Sequence, residues 1–198
     1  MKFYQTVWFK CITCLLLIAV ISGASITVLA DLWKVSPEMR TSRAITKIYG
    51  EEKEYATVLD VDSDNAEINA PIIYEGVGSV NKVYSVSGDI LLQTTGYQGY
   101  KNGTVTLWIQ VKKDGDKYSI EKVLLENSEK QTLMSKLTGE FYGGFTLTDV
   151  TEDYNSGKFF SATDKSAKNY NPVSGATFSA TATCNAVNSA IRYLGGER

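Results

Sequence analysis

Between Cys11 and Ala30 the chain runs twenty residues without a charge (CITCLLLIAVISGASITVLA). That is the length a helix needs to cross the hydrocarbon core of a bilayer. Such a run cannot share a small core with the polar sequence after it, so it divides the chain in two. Lys2 and Lys10 precede it, which by the positive-inside rule keeps residues 1–10 in the cytoplasm and sends the remainder across. Trp8 and Trp33 flank it as interfacial aromatics do. A cleavable export signal is the alternative, since Val28-Leu29-Ala30 is an acceptable cleavage site. The run exceeds the usual apolar region of such signals, so an uncleaved anchor over 11–30 is expected. No lipid-attachment cysteine follows it.

The rest leaves room for one exported domain with a sizeable core. Of 198 residues, 43% are hydrophobic and 21% charged, which is ordinary for a folded protein. A net charge of −2 and a pI near 5.3 offer no basic surplus for nucleic acid. The sequence has no histidine, which excludes Ser-His-Asp and Cys-His catalysis and disfavours catalytic zinc. Chemistry must come from carboxylates, hydroxyls or a cofactor. Three cysteines make no disulfide framework. Cys11 and Cys14 form a C-x-x-C that reads either as a redox or metal pair or as small membrane residues; without a second pair the membrane reading is favoured.

Residues 31–54 read as a linker with one short helix. Ser36-Pro37-Glu38 signals its start, Met39, Arg43, Ile45 and Ile48 allow it, and Gly50 ends it. Strand signals follow at Tyr55–Val61, Ile68–Tyr74 and Asn81–Val86. Thr94–Tyr100 reads as a glycine- and tyrosine-rich turn. Val105–Lys112 alternates, and Asp114-Gly115 turns it back onto Tyr118–Leu125 as a hairpin. Asn127 or Ser128 is expected to cap a helix through about Leu137, stopped by Gly139. The fold class expected is α+β: a transmembrane helix, then one exported domain with an antiparallel sheet and flanking helices over 55–198.

The richest stretch is Asn171-Pro172-Val173-Ser174-Gly175-Ala176-Thr177-Phe178-Ser179, which enters an amphipathic helix. Ala180, Cys184, Val187, Ile191 and Leu194 recur at helical spacing and define its buried face. A tight loop therefore delivers Ser174, Thr177 and Ser179 to a helix start, where unpaired N–H groups and the helix dipole favour an anion. Helix capping by the same hydroxyls is the competing reading.

Ser-Gly-Ala-Thr-x-Ser ahead of a small-residue helix resembles the flavinylation motif of FMN-binding domains. These domains occur in the G subunit of Rnf electron-transport complexes and the C subunit of sodium-translocating NADH:quinone reductases. The resemblance implies covalent FMN on Thr177, joined through its phosphate by a flavin transferase, with Ser174, Gly175 and Ala176 shaping the loop and Ser179 as the fallback hydroxyl. A Gly-Tyr-x-Gly turn, the hairpin and Glu126 resemble the centre of that domain. The family's Glu-Thr-Pro-Gly run is replaced by Glu126-Asn127-Ser128-Glu129, and its usual aspartate before the motif serine by Asn171.

The function implied is a membrane-anchored electron carrier with no complete reaction of its own, partnered by other membrane subunits of an Rnf-type ion-translocating ferredoxin:NAD oxidoreductase. A free-standing extracellular electron carrier and a flavin-free binding module are the alternatives. Phe141, Tyr142 and Phe145, interleaved with Gly143 and Gly144, could stack on a flavin ring or pack beneath the sheet. Lys158, Lys165 and Lys168 approach the motif either as phosphate partners or as surface charge. Asp60/Asp62 and Glu152/Asp153 read as turn and surface carboxylates.

Overall fold

The structure is a computed structural model that describes residues 7–32 (backbone only from 27), 36–164, 167–168 and 173–197. Trp33, Lys165, Asn171 and Pro172, and the side chains of Val28 to Ala30, lie outside that set. The chain divides into two compact units, Met1–Arg40 and Thr41–Arg198.

In the first unit, helix α1 spans Val7–Leu32, and Val7–Ile26 is long and apolar enough to cross a membrane. Its side chains stand exposed throughout that span. Thr13, Ser22 and Ser25 turn their hydroxyls onto the carbonyls of Phe9, Ile18 and Ile21, so none is left bare. That is the arrangement an apolar solvent demands. Cys11 and Cys14 are free thiols, and no group able to hold a metal ion occurs among the described residues.

Helix α2 spans Pro37–Tyr49 and ends at Gly50, whose φ of 81° suits a left-handed C-terminal position. Six strands follow: β1 Tyr55–Asp60, β2 Ile72–Tyr74, β3 Gly78–Val86, β4 Asp89–Gly96, β5 Val105–Asp114 and β6 Lys117–Ser128. They form one antiparallel sheet in the order β1-β3-β4-β5-β6, with β2 also pairing β3. Helices α3 (Gly139–Gly143), α4 (Val150–Asn155) and α5 (Thr177–Leu194) complete the chain.

Both faces of the sheet are used. On one, Ile45 and Ile48 of α2 pack on Tyr84, Val86, Leu91 and Trp108. The compact unit accordingly starts at Thr41, inside the stretch read as linker. On the other, α5 covers β3, β4 and β5, with Ala182, Ala186, Val187 and Ile191 against Val80, Leu92, Leu107 and Ile109. Phe141, Phe145 and Phe160 fill the space beside it, edge to face at 5.1 and 4.9 Å. These phenylalanines are core, so a stacking role for Phe141 or Phe145 is excluded by burial at 1% and 0% exposure.

The helix lies unusually close to the sheet. A Cβ on Gly96 would overlap the carbonyl oxygen of Ala182, and one on Gly78 would overlap Thr95 O. Glycine here is a matter of space. Cys184 sits on the buried face as its spacing implied, and burial pushes its thiol up to about 12.

Four expectations are corrected. Thr94 to Gly96 belong to a strand, β4, rather than a turn. Ile68–Tyr74 narrows to the three-residue β2. No helix runs from Asn127 to Leu137: β6 continues to Ser128, paired with Val105, and a single 3-10 turn at Met134–Lys136 follows. Gly139 opens α3 instead of ending a helix.

Three carboxylates read as turn and surface charge are held in ion pairs. Lys82, 5% exposed, reaches Asp60 at 2.9 Å and Asp62 at 2.6 Å, while the Tyr84 hydroxyl donates to Asp60 at 2.5 Å and Thr41 lies 3.1 Å from that hydroxyl. Burial pushes the Asp60 carboxyl up, but Tyr84, Lys82 and the Asp62 N–H outweigh it and hold it below the usual range. Asp153 is buried and paired with Lys168 at 2.5 Å.

Candidate functional site

Helix α5 begins where the motif places it. Val173 to Ala176 form a four-residue turn closed by the Ala176 N–H on Val173 O at 3.3 Å. Gly175 occupies its third position with φ of 78°, a conformation glycine adopts freely. The next backbone bond, Ala180 N–H to Ala176 O at 2.9 Å, is already helical.

The N-cap residue is Ala176, and among the described residues no side chain caps the helix. The competing reading of Ser174, Thr177 and Ser179 as capping hydroxyls is therefore not realised. Among the described residues nothing accepts from the N–H groups of Thr177, Phe178 and Ser179, at the positive end of an eighteen-residue helix.

The three hydroxyls differ in surroundings. Ser174 and Thr177 are exposed. Ser179 is 3% exposed and donates to Gln131 Oε1 at 3.0 Å. Ala176 is buried at 2%, which fixes the turn on the core.

Three residues that local pattern does not single out converge on this helix start. Lys136, from the 3-10 turn, places its Nζ 3.5 Å from where a Cβ of Gly175 would lie. Gln131 Oε1 also accepts the Tyr100 N–H at 3.2 Å, and its Nε2 donates to Glu129 O at 3.0 Å. Tyr100 stands beside Phe178, with ring centroids 6.1 Å apart. Lys168, read as a possible phosphate partner, is instead spent on Asp153, and Lys158 is exposed.

The segment ahead of the motif is tied to α5 from below. Asn188 accepts the Phe160 N–H at 2.9 Å and donates to Phe160 O at 2.8 Å, both buried. Asn185 donates to Tyr97 O at 3.0 Å, holding the end of β4 on the same helix.

A helix N-terminus, a glycine that lets the backbone approach, an ammonium beside that glycine and one exposed threonine hydroxyl suit a phosphate ester. Residues 99–192 match the family of FMN-binding domains. No curated protein and no solved structure matches the chain. The match supports FMN as cofactor and electron transfer as the role. Its boundaries take in Tyr100, Gln131, Lys136 and the turn and helix from Val173 to Asn188.

Proposed function

We propose, on the premise that residues 99–192 are similar to FMN-binding domains, that this chain is a membrane-anchored electron carrier holding FMN covalently on Thr177. FMN supplies the redox chemistry when bound; the protein supplies position and electrostatics. The observation that carries the reading is the Thr177 hydroxyl, exposed on the first residue of helix α5 directly after the turn that Lys136 faces.

Each residue has a task. Thr177 Oγ1 would take the FMN phosphoryl group from a flavin dinucleotide under the action of a flavin transferase: the hydroxyl proton is lost, the new P–O ester bond forms, and the pyrophosphate bond breaks to release a nucleoside monophosphate. The Phe178 and Ser179 N–H groups and Lys136 Nζ take up the charge of the phosphodiester. Gly175 keeps the backbone clear of it, and Ala176 anchors the turn. Ser179, buried and committed to Gln131, holds the helix start in place.

The partners we assign are membrane subunits of an Rnf-type ferredoxin:NAD oxidoreductase that couples electron flow to ion transport. Helix α1 serves as its single anchor, with residues 1–10 cytoplasmic and the domain on the opposite side. A free-standing carrier would use the same site. Purification of the tagged protein from native membranes separates the two: an Rnf-type assembly brings other membrane subunits with it.

The attachment is tested by peptide mass spectrometry on protein made beside an active flavin transferase. The peptide carrying Thr177 gains the mass of an FMN phosphoester, and Thr177→Ala abolishes it while leaving a folded protein. An unmodified wild-type peptide overturns the reading.

A further inference from the structure

Tyr100 and Phe178 break the pattern of the aromatics around them. Phe141, Phe145 and Phe160 form buried edge-to-face contacts, yet Phe178 is 62% exposed and Tyr100 36% exposed, and these two still meet with their planes at 62°. They come from separate elements seventy-eight positions apart in sequence, and they meet beside Thr177.

The path that brings Tyr100 there is rigid. The Gly99 N–H bonds Gly103 O at 3.0 Å and the Gly103 N–H bonds Tyr100 O at 2.9 Å. Neither glycine has room for a Cβ: one on Gly99 would meet Gln131 Nε2 and the Gly103 carbonyl oxygen, and one on Gly103 the Glu129 carbonyl oxygen and Gln131 Nε2. Lys101 and Asn102 between them hold φ of 51° and 56°, the left-handed region that non-glycine residues enter at a cost. Gln131 then ties this loop to the first turn of α5 by accepting from both Tyr100 N–H and Ser179 Oγ. A strained, doubly pinned loop thus serves to hold one half-exposed ring against another.

We propose that Tyr100 and Phe178 form the platform on which the isoalloxazine ring of a Thr177-linked FMN rests, an inference that depends on the attachment proposed above. The ribityl chain leaves a tethered flavin free to sweep a wide volume. An aryl surface next to the tether recovers part of that freedom as stacking, in the offset or edge-to-face geometry aromatic groups prefer. The two rings present such a surface, and Thr177 sets the origin of the tether.

The test uses full-length protein made with an active flavin transferase: wild type, Tyr100→Leu and Phe178→Leu, with Tyr100→Phe as the conservative control. Mass spectrometry establishes the adduct on Thr177, and far-ultraviolet circular dichroism establishes folding. The readout is the polarisation anisotropy of the flavin emission, which reports how freely the ring turns relative to the protein. Wild type and Tyr100→Phe hold a high anisotropy, and each leucine variant lowers it toward that of a freely rotating tethered flavin. Tyr100 lies outside the Ser174–Ser179 motif, so its variant decides the matter if Phe178→Leu is poorly modified. A Thr177 adduct whose anisotropy both substitutions leave unchanged overturns the platform and preserves the attachment. Absence of the adduct in wild type overturns both.

Discussion

At the scale of single residues, burial separates two hydroxyls that the motif leaves equivalent. Thr177 faces solvent at the first position of α5, whereas Ser179 points inward and donates to Gln131. Ser179→Ala removes one bond from Gln131 Oε1, which keeps the Tyr100 N–H. We expect a loss of about 1 kcal/mol in a urea titration, the usual net worth of such a bond, with flavin still added to Thr177. A Ser179→Ala protein lacking the adduct would move the attachment point. The sequence pattern exposes the motif and the helix face from Ala180 to Leu194, because both are local. Tyr100, Gln131 and Lys136 escape it: nothing local marks them as partners of the motif, and only tertiary closure brings them to Phe178, Ser179 and Gly175. Lys168, the lysine nearest in sequence, misleads for the same reason: it is paired with Asp153.

Among elements, the contact between β4 and α5 governs the fold. Small residues on the helix (Ala182, Ala186) face Gly96 on the strand, so the backbones approach until no Cβ fits between them. Gly96→Ala would push the helix outward, and overpacking of this kind costs about 3 kcal/mol. Chemical denaturation should show a midpoint lowered accordingly, and an unchanged midpoint would mean that the helix sits less tightly. β4 is also where strand patterning fails. It is a central strand with Leu91 in one core and Leu92 in the other, so the alternation that marks β5 is missing. The helix expected over 127–137 fails differently. Asn127 and Ser128 are good caps in isolation, but here they extend β6 along β5, and pairing overrides local preference.

For the whole molecule, the region similar to FMN-binding domains is smaller than the folding unit. Residues 99–192 supply β5, β6 and the helices after them, yet α5 rests on β3 and β4 as well, and α2 closes the opposite face. A fragment of residues 99–198 therefore keeps a two-stranded ribbon under a helix that has lost much of its floor. Two strands are marginal alone. We expect that fragment to show no cooperative thermal transition, while residues 41–198 unfold in one; a cooperative 99–198 fragment would refute this account. The α+β class and the hairpin at Asp114-Gly115 are legible in the sequence, since turn chemistry and alternation are short-range. The second core under α2 is not, because Ile45 and Ile48 acquire their meaning from strands that come later in the chain.

The order of elements along the chain has a consequence for timing. The strands are made first, and α5, which covers them and carries Thr177 on its first turn, is made after all of them. Until it docks, one face of the sheet is bare and the threonine lies in an unformed segment, with no ordered N–H groups around it. A modifying enzyme that needs the open helix end would thus meet its substrate only on finished molecules. Cofactor loading would then act as a record of maturation, sparing unfinished chains a group they have no means to hold.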